Sequence, residues 1–283
     1  MLIVKDIYYS YKNNTVLEGI SLSLHSGVYG LLGPNGSGKT TLLRCISGII
    51  TPQKGTIYKP EKIGYLPQNF GMFPELTVYE TLDYFAAIKQ IPKQNRNESI
   101  NTTLAMVNLE KDMHKKIGSL SGGMLRRLGI AQAIMDNPDL IIFDEPTTGL
   151  DPEERLRFKN IIATIREKQT IIIATHIVDD VDALCDRIIL LSNGSVICEE
   201  SKENLQNCAN GCVYKISFKE KTKLNTPYTI TTEERVNDTD YLRVLSPIHQ
   251  PGTKVQPTLE DGYMFAIKGY YETRNNKNCI LEK

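Results

Sequence analysis

Eight residues, Gly33-Pro34-Asn35-Gly36-Ser37-Gly38-Lys39-Thr40, fit the pattern G-x-x-x-x-G-K-[ST] and with it the chemistry of holding a phosphate chain. Small residues let successive backbone N–H groups curl around an anion, and the positive end of the following helix, entered through Thr40 and Thr41, points at the same charge. Lys39 supplies a mobile cation for the outer phosphates, and the Thr40 hydroxyl suits Mg2+. Two acids and a histidine offer the rest of a hydrolytic site. Asp144 follows an apolar strand and suits Mg2+ directly or through water, while Glu145, turned away by strand alternation, is placed to polarise an attacking water. His176 ends a second apolar strand, and that position favours a functional role over the structural one a lone histidine usually has. Gln68 presents a neutral amide to Mg2+ or the water, and Tyr11 a flat face to a nucleobase, with Tyr8 and Tyr9 competing for that place. No Asn-Lys-x-Asp guanine-reading motif occurs, which favours ATP over GTP.

These groups must be brought together by strands and helices. Val28 to Leu32, Asp139 to Glu145 and Thr170 to His176 are continuous apolar runs, the pattern of strands buried on both faces of a mostly parallel sheet. Thr40 to Ile46 and Pro152 to Lys168 read as helices, the second with Pro at its first turn and Glu153 and Glu154 near its positive end. In such a sheet ligands gather beyond the carboxyl ends of strands, where the phosphate loop, the Asp144-Glu145 pair and His176 all lie.

The flanking segments change period. Leu2 to Leu24 alternates like two or three strands turning at Lys12-Asn13-Asn14 and Ser26-Gly27, and Gly55 to Tyr58 and Lys62 to Leu66 read as short strands. Leu76 to Ile88 and Glu98 to Leu109 follow helical spacing, which predicts a helical insert over about 75–137. After residue 205 the pattern weakens. Val213 to Phe218 and Tyr241 to Leu245 suit strands, Glu260 to Tyr271 a closing helix, and Lys219 to Asp240 is a polar tract, so 206–283 reads as a small appended α+β module.

Thirty-three basic residues balance thirty-three acidic ones, so no overall field draws in nucleic acid or anionic lipid, and no nucleic-acid partner is expected. Cys45, Cys185, Cys198, Cys208, Cys212 and Cys279 lack the spacing of a disulfide scaffold, and Cys208 with Cys212 lacks a second ligand pair for zinc. The start, Met1-Leu2-Ile3-Val4-Lys5-Asp6, is charged too early for a signal sequence, and no apolar run reaches the roughly 18 residues needed to span a bilayer.

Leu120-Ser121-Gly122-Gly123-Met124 precedes a helix and makes a second anion-binding turn, far in sequence from the first. Two such turns in one chain invite a dimer in which one turn from each copy sandwiches the same ATP. From Leu2 to about Leu205 the sequence resembles the nucleotide-binding subunits of ABC transporters. The phosphate loop looks like their Walker A, Gln68 their Q-loop, Leu120 to Met124 their signature, Ile141 to Glu145 their Walker B, Gly149-Leu150-Asp151 their D-loop and His176 their switch histidine. Tyr11 takes the place of the aromatic that stacks on adenine, and Met124 departs from the usual Gln while Ser121, Gly122 and Gly123 are kept.

The resemblance implies a P-loop NTPase (RecA-like) α/β core with an N-terminal antiparallel β subdomain and a helical insert over 1–205. It implies MgATP at a head-to-tail dimer interface, held by residues 33 to 41 of one copy and Ser121, Gly122, Gly123 and Asp151 of the other. Thr40, Gln68 and Asp144 would hold the metal; Glu145, His176, Gln68 and Lys39 would serve hydrolysis. A separate transmembrane permease subunit would hold the chain at the cytoplasmic face of the membrane, and Met72-Phe73-Pro74 lies where the family receives it. His176 to Val181 and Pro257 to Asp261 look like bacterial exporter subunits for drugs, peptides or lipid-like compounds. An importer subunit is the nearest alternative, and a soluble ABC ATPase of ribosomes or DNA the next.

Overall fold

The structure is a computed structural model that describes residues 1–270. It divides into two compact units, Met1–Cys198 and Glu199–Lys283, so the division falls before the 205/206 boundary read from the sequence. In the first unit β1 (Leu2–Tyr11) and β2 (Asn14–Leu24) form an antiparallel hairpin, Leu2 opposite Leu24 and Tyr11 opposite Asn14. Asp6, at φ 53°, marks a bulge between Val4 and Ile7, and the extra residue lets both side chains enter the core despite their odd spacing. β3 (Gly27–Leu32) carries the chain into the phosphate loop and α1 (Lys39–Ser47), after which β4 (Lys54–Tyr58) returns to pair with β1.

β5 (Ile63–Leu66) leads to the helical insert, α2 (Val78–Ile88), α3 (Lys93–Met106) and α4 (Gly122–Ile134). A capping box of Thr77 and Glu80 opens α2, a device that contributes about 1 kcal/mol. The chain continues through β6 (Leu140–Asp144), α5 (Pro152–Ile165), β7 (Thr170–Thr175), α6 (Val178–Leu184), β8 (Arg187–Ser192) and β9 (Ser195–Ser201). The main sheet runs β5-β6-β7-β3-β8-β9, parallel from β5 to β8. Every residue of β6 and β7 is buried, which is why both read as unbroken apolar runs. Leu31, Leu42, Ile142, Ile172 and Ile189 share one core with Leu2, Leu22 and Leu24 of the antiparallel layer, so α1 is clamped between two sheets.

The second unit, taken by itself, holds α7 (Lys202–Asn207), β10 (Val213–Ser217), β11 (Thr229–Val236), β12 (Thr239–Leu245), β13 (Thr253–Lys254) and α8 (Leu259–Ile267). Its antiparallel sheet runs β11-β12-β10-β13. Asn237 and Asp238, both at positive φ, supply the tight turn between β11 and β12. Arg243 of β12 donates to the buried carboxylate of Asp261 in α8 at 2.6 Å, tying helix to sheet.

Several boundaries differ from the sequence reading for local reasons. α3 starts at Lys93, not Glu98, because its first turns are polar and largely exposed and so carry no apolar period. α5 stops at Ile165, short of Lys168, and the closing helix ends at Ile267; Tyr271, like Cys279, lies outside the described residues. The polar tract 219–240 contains β11, an edge strand. Cys45, Cys185, Cys198, Cys208 and Cys212 are thiols, and the described residues contain no cluster of three or more metal-ligating side chains.

Candidate functional site

The phosphate loop is shaped by close backbone approaches. A Cβ on Gly33 would stand 2.1 Å from the Leu191 carbonyl, so only glycine fits there. Gly38, at φ 106°, caps α1 without a side-chain acceptor, so no side chain takes up the first N–H groups of the helix. The Gly194 N–H donates to the Ser37 carbonyl at 3.1 Å, and the Glu18 N–H to the Gly194 carbonyl at 2.9 Å, bracing the loop from the β8–β9 turn. Lys39 is buried, its Nζ donating to the carbonyls of Gly33 at 2.6 Å and Pro34 at 3.1 Å. Burial pulls the Lys39 pKa down, against the pull of Glu145 and Asp144.

A cavity of about 470 Å3 opens over this loop, within the usual range for small-molecule sites. Asn35, Gly36, Ser37, Gly38, Lys39, Thr40 and Thr41 line it together with Gln68, Glu145, Asn14 and Val16. Asp144 is fully buried, and neither carboxylate oxygen meets a hydrogen-bond donor. Burial raises its pKa, Glu145 adding to the rise, while the nearby Thr40 hydroxyl, Lys39 and Arg44 oppose it. A buried carboxylate without a donor, beside a threonine hydroxyl and a lysine, suits a divalent cation, and the donor set Thr40, Asp144 and Gln68 is all oxygen, as Mg2+ requires.

Glu145 does not take its direction from strand alternation, as the sequence reading held. β6 ends at Asp144, and Glu145 sits at φ 50°, a left-handed conformation rare outside glycine, with its N–H on the Ala174 carbonyl of β7 at 2.9 Å. That turn aims its carboxylate at His176, whose Nδ1 lies 3.0 and 3.1 Å from the two oxygens, and the Thr148 hydroxyl donates to Oε2 at 2.9 Å. A carboxylate partner selects the Nδ1–H tautomer of a neutral ring, leaving Nε2 as its acceptor. A buried bond from Thr147 to Asp180 further ties the loop after Glu145 to the helix after His176.

Several expected members lie outside the lining of this cavity. Ser121 caps α4 by accepting from the Met124 N–H at 3.3 Å and is exposed with Gly122; Asp151 caps α5 by accepting from the Glu154 N–H at 2.8 Å. Neither they nor Gly123 line the cavity. Tyr11 also lies outside its lining, 43% exposed at the end of β1 with its ring edge-on to Tyr9 at 4.9 Å. Sequence reading missed Asn14 and Val16, whose types carry no signal, and Arg126, one of two adjacent arginines in α4 that nothing in the sequence tells apart.

The family profile described as ABC transporter matches residues 17–148. The chain is 32% identical to YxlF of Bacillus subtilis, an uncharacterized ABC transporter ATP-binding protein, over 78% of each sequence. The chain belongs to the ABC transporter ATP-binding family. It is also 36% identical to Nod factor export ATP-binding protein I of Burkholderia orbicola, over 71% of each. Among solved structures, a dimeric bacterial ABC transporter cassette superposes with a TM-score of 0.65 at 27% identity, covering 71% of this chain and 98% of that one. The core is therefore a P-loop NTPase fold, ABC ATP-binding domains hydrolyse ATP, and this chain is the ATPase subunit of an ABC transporter. Among the described residues no helix is long and apolar enough to cross a membrane.

Proposed function

We propose that two copies of this cassette close head to tail on two MgATP, and that hydrolysis drives export through a separate transmembrane subunit. The observation that carries this reading is the split of the site: the phosphate loop, Gln68 and Glu145 share one cavity, while Ser121 and Gly122 lie exposed and outside its lining. A second copy supplies the missing turn, as the dimeric cassette among the structural relatives makes reasonable. Lys39 and the loop N–H groups bind the phosphates; Thr40, Asp144 and Gln68 would hold Mg2+, which neutralises phosphate charge when bound. Glu145, held by Thr148 and His176, takes the proton of the attacking water. ATP touches both copies and favours closure; ADP lacks the γ-phosphate that faces Ser121 and favours opening.

The direction of transport rests on likeness to Nod factor export ATP-binding protein I. Phe73, 62% exposed beyond the Gln68 loop, offers an apolar contact for the membrane subunit, which anchors the cassette to the cytoplasmic face. Glu145→Gln is expected to bind MgATP and accumulate as a dimer, with turnover reduced by about 10²–10⁴, read by size exclusion and phosphate release. Near-normal turnover, or a monomer holding uncleaved MgATP, would overturn the reading. Phe73→Asp is expected to leave ATPase activity of the isolated chain within about twofold, because an exposed side chain adds little to stability, and to abolish co-purification with the membrane subunit; unchanged co-purification excludes the docking role.

A further inference from the structure

The guanidinium of Arg126, in the second turn of α4, donates to five backbone carbonyls. Nε bonds Pro146 at 2.9 Å, Nη1 bonds Pro67 at 3.2 Å and Gln68 at 3.1 Å, and Nη2 bonds Asp144 at 3.0 Å and also Glu145. An arginine side chain has five N–H bonds, so each has a carbonyl of its own. The acceptors come from two loops distant in sequence, the one entering the Gln68 turn and the one leaving β6.

Glu145 holds a left-handed backbone at φ 50°, a conformation that is strained for a non-glycine residue and persists only where its surroundings impose it. The carbonyls of residues 144, 145 and 146 all converge on one guanidinium, which is what imposes it here. Burial lowers the Arg126 pKa while the Asp144 and Glu145 carboxylates oppose that shift, so the cation sits in the field of the groups it orders. Lysine would not replace it, since a single ammonium with three donors cannot span five acceptors in two loops.

We infer that Arg126 is a positioning residue for hydrolysis, holding Glu145 in its strained, reactive orientation and locking the Gln68 loop to it. It does so from the helix that begins at Ser121, so one rigid strut joins the turn facing a second copy to the two groups facing the water. The inference rests on the roles proposed above for Glu145 and Gln68. Its target is kcat, because the phosphate loop that binds nucleotide shares none of these five bonds, and at Gln68 and Asp144 they engage the backbone carbonyls and not the side chains proposed to hold Mg2+.

Arg126→Ala is expected to lower kcat on the order of 10²-fold, as a displacement near 1 Å of a reacting group does, with the KM for MgATP within about threefold of wild type. Arg126→Lys is expected to recover thermal stability but less than about a tenth of the activity. In either background Gln68→Ala should cost much less than it does in the wild-type chain, because its loop is already displaced. A folded Arg126→Ala protein with kcat within about threefold of wild type, or losses that add with Gln68→Ala, overturns the inference. Where Arg126→Ala fails to fold, Arg126→Lys decides by the same measurements. Glu145→Gln run in parallel separates the two claims: if it still turns over, the base assignment fails, whereas if it is inactive while Arg126→Lys is normal, only the strut fails.

Discussion

The proposed function assigns phosphate to two helix N-termini of this cassette, and they are built in opposite ways. The start of α1 is buried: Gly38 leaves its N–H groups uncapped by any side chain, Lys39 is folded against the loop, and the sheet behind it closes the back. The start of α4 is exposed, its side-chain cap being the Ser121 hydroxyl accepting from the Met124 N–H. The first end is organised before any ligand arrives, and the second has nothing to hold until another molecule presents it. Under the function proposed above, nucleotide binding is a property of one chain and hydrolysis a property of two.

The largest blow to this division falls at α1. Lys39→Ala is expected to weaken MgATP binding by about 10²-fold or more, since a buried charge-assisted contact to phosphate is lost, as titration with a fluorescent nucleotide will record. Ser121→Ala is expected to leave single-chain binding within about twofold and to reduce turnover by about tenfold or more, one transition-state contact being removed. Mixing the two impaired variants sharpens the comparison. Head-to-tail pairing gives each mixed dimer one intact composite site, so random pairing restores roughly a quarter of wild-type activity. No recovery on mixing would place both turns in one chain's site and end the contrast.

The smallest expected effect concerns stability. A carboxyl whose folded pKa is raised, like Asp144, favours the fold when protonated; that contribution is present below the unfolded pKa and lost as pH rises through the folded one. Without Mg2+ and nucleotide, Asp144→Asn is therefore expected to melt a few degrees above wild type near neutral pH, the gap closing as pH falls below the ordinary carboxylate range. Ser121→Ala, at the exposed end, should show no such pH-dependent gap. Melting curves across pH check both, and equal curves for Asp144→Asn and wild type would remove the burial cost ascribed to the Asp144 charge.

The sequence displayed what depends on composition and short spacing. β6 and β7 were legible because strands buried on both faces must be apolar throughout, and the phosphate loop because its glycines answer steric demands within eight residues. The bearing of Glu145 was not, since the left-handed turn that sets it is imposed by an arginine nineteen positions earlier in a different element. β11 escaped notice because most of an exposed edge strand needs no apolar alternation, and its last five residues are all exposed. That Ser121 would lie away from the Lys39 cavity was expected from two anion-binding turns far apart in sequence and from the family resemblance, not from any local pattern; motif content tells which groups exist, and only the fold tells which of them meet.

The brace between Gly194 and Ser37 has a bearing on synthesis. All eight phosphate-loop residues leave the ribosome before β7 and β8 do, yet β3 is flanked in the sheet by those two strands, and the loop rests on the turn beyond β8. Closing such distant pairings costs chain entropy that no local contact offsets. The loop is thus made before the strands and the turn that support it, and a chain that stops short of β8 lacks the brace its cradle rests on.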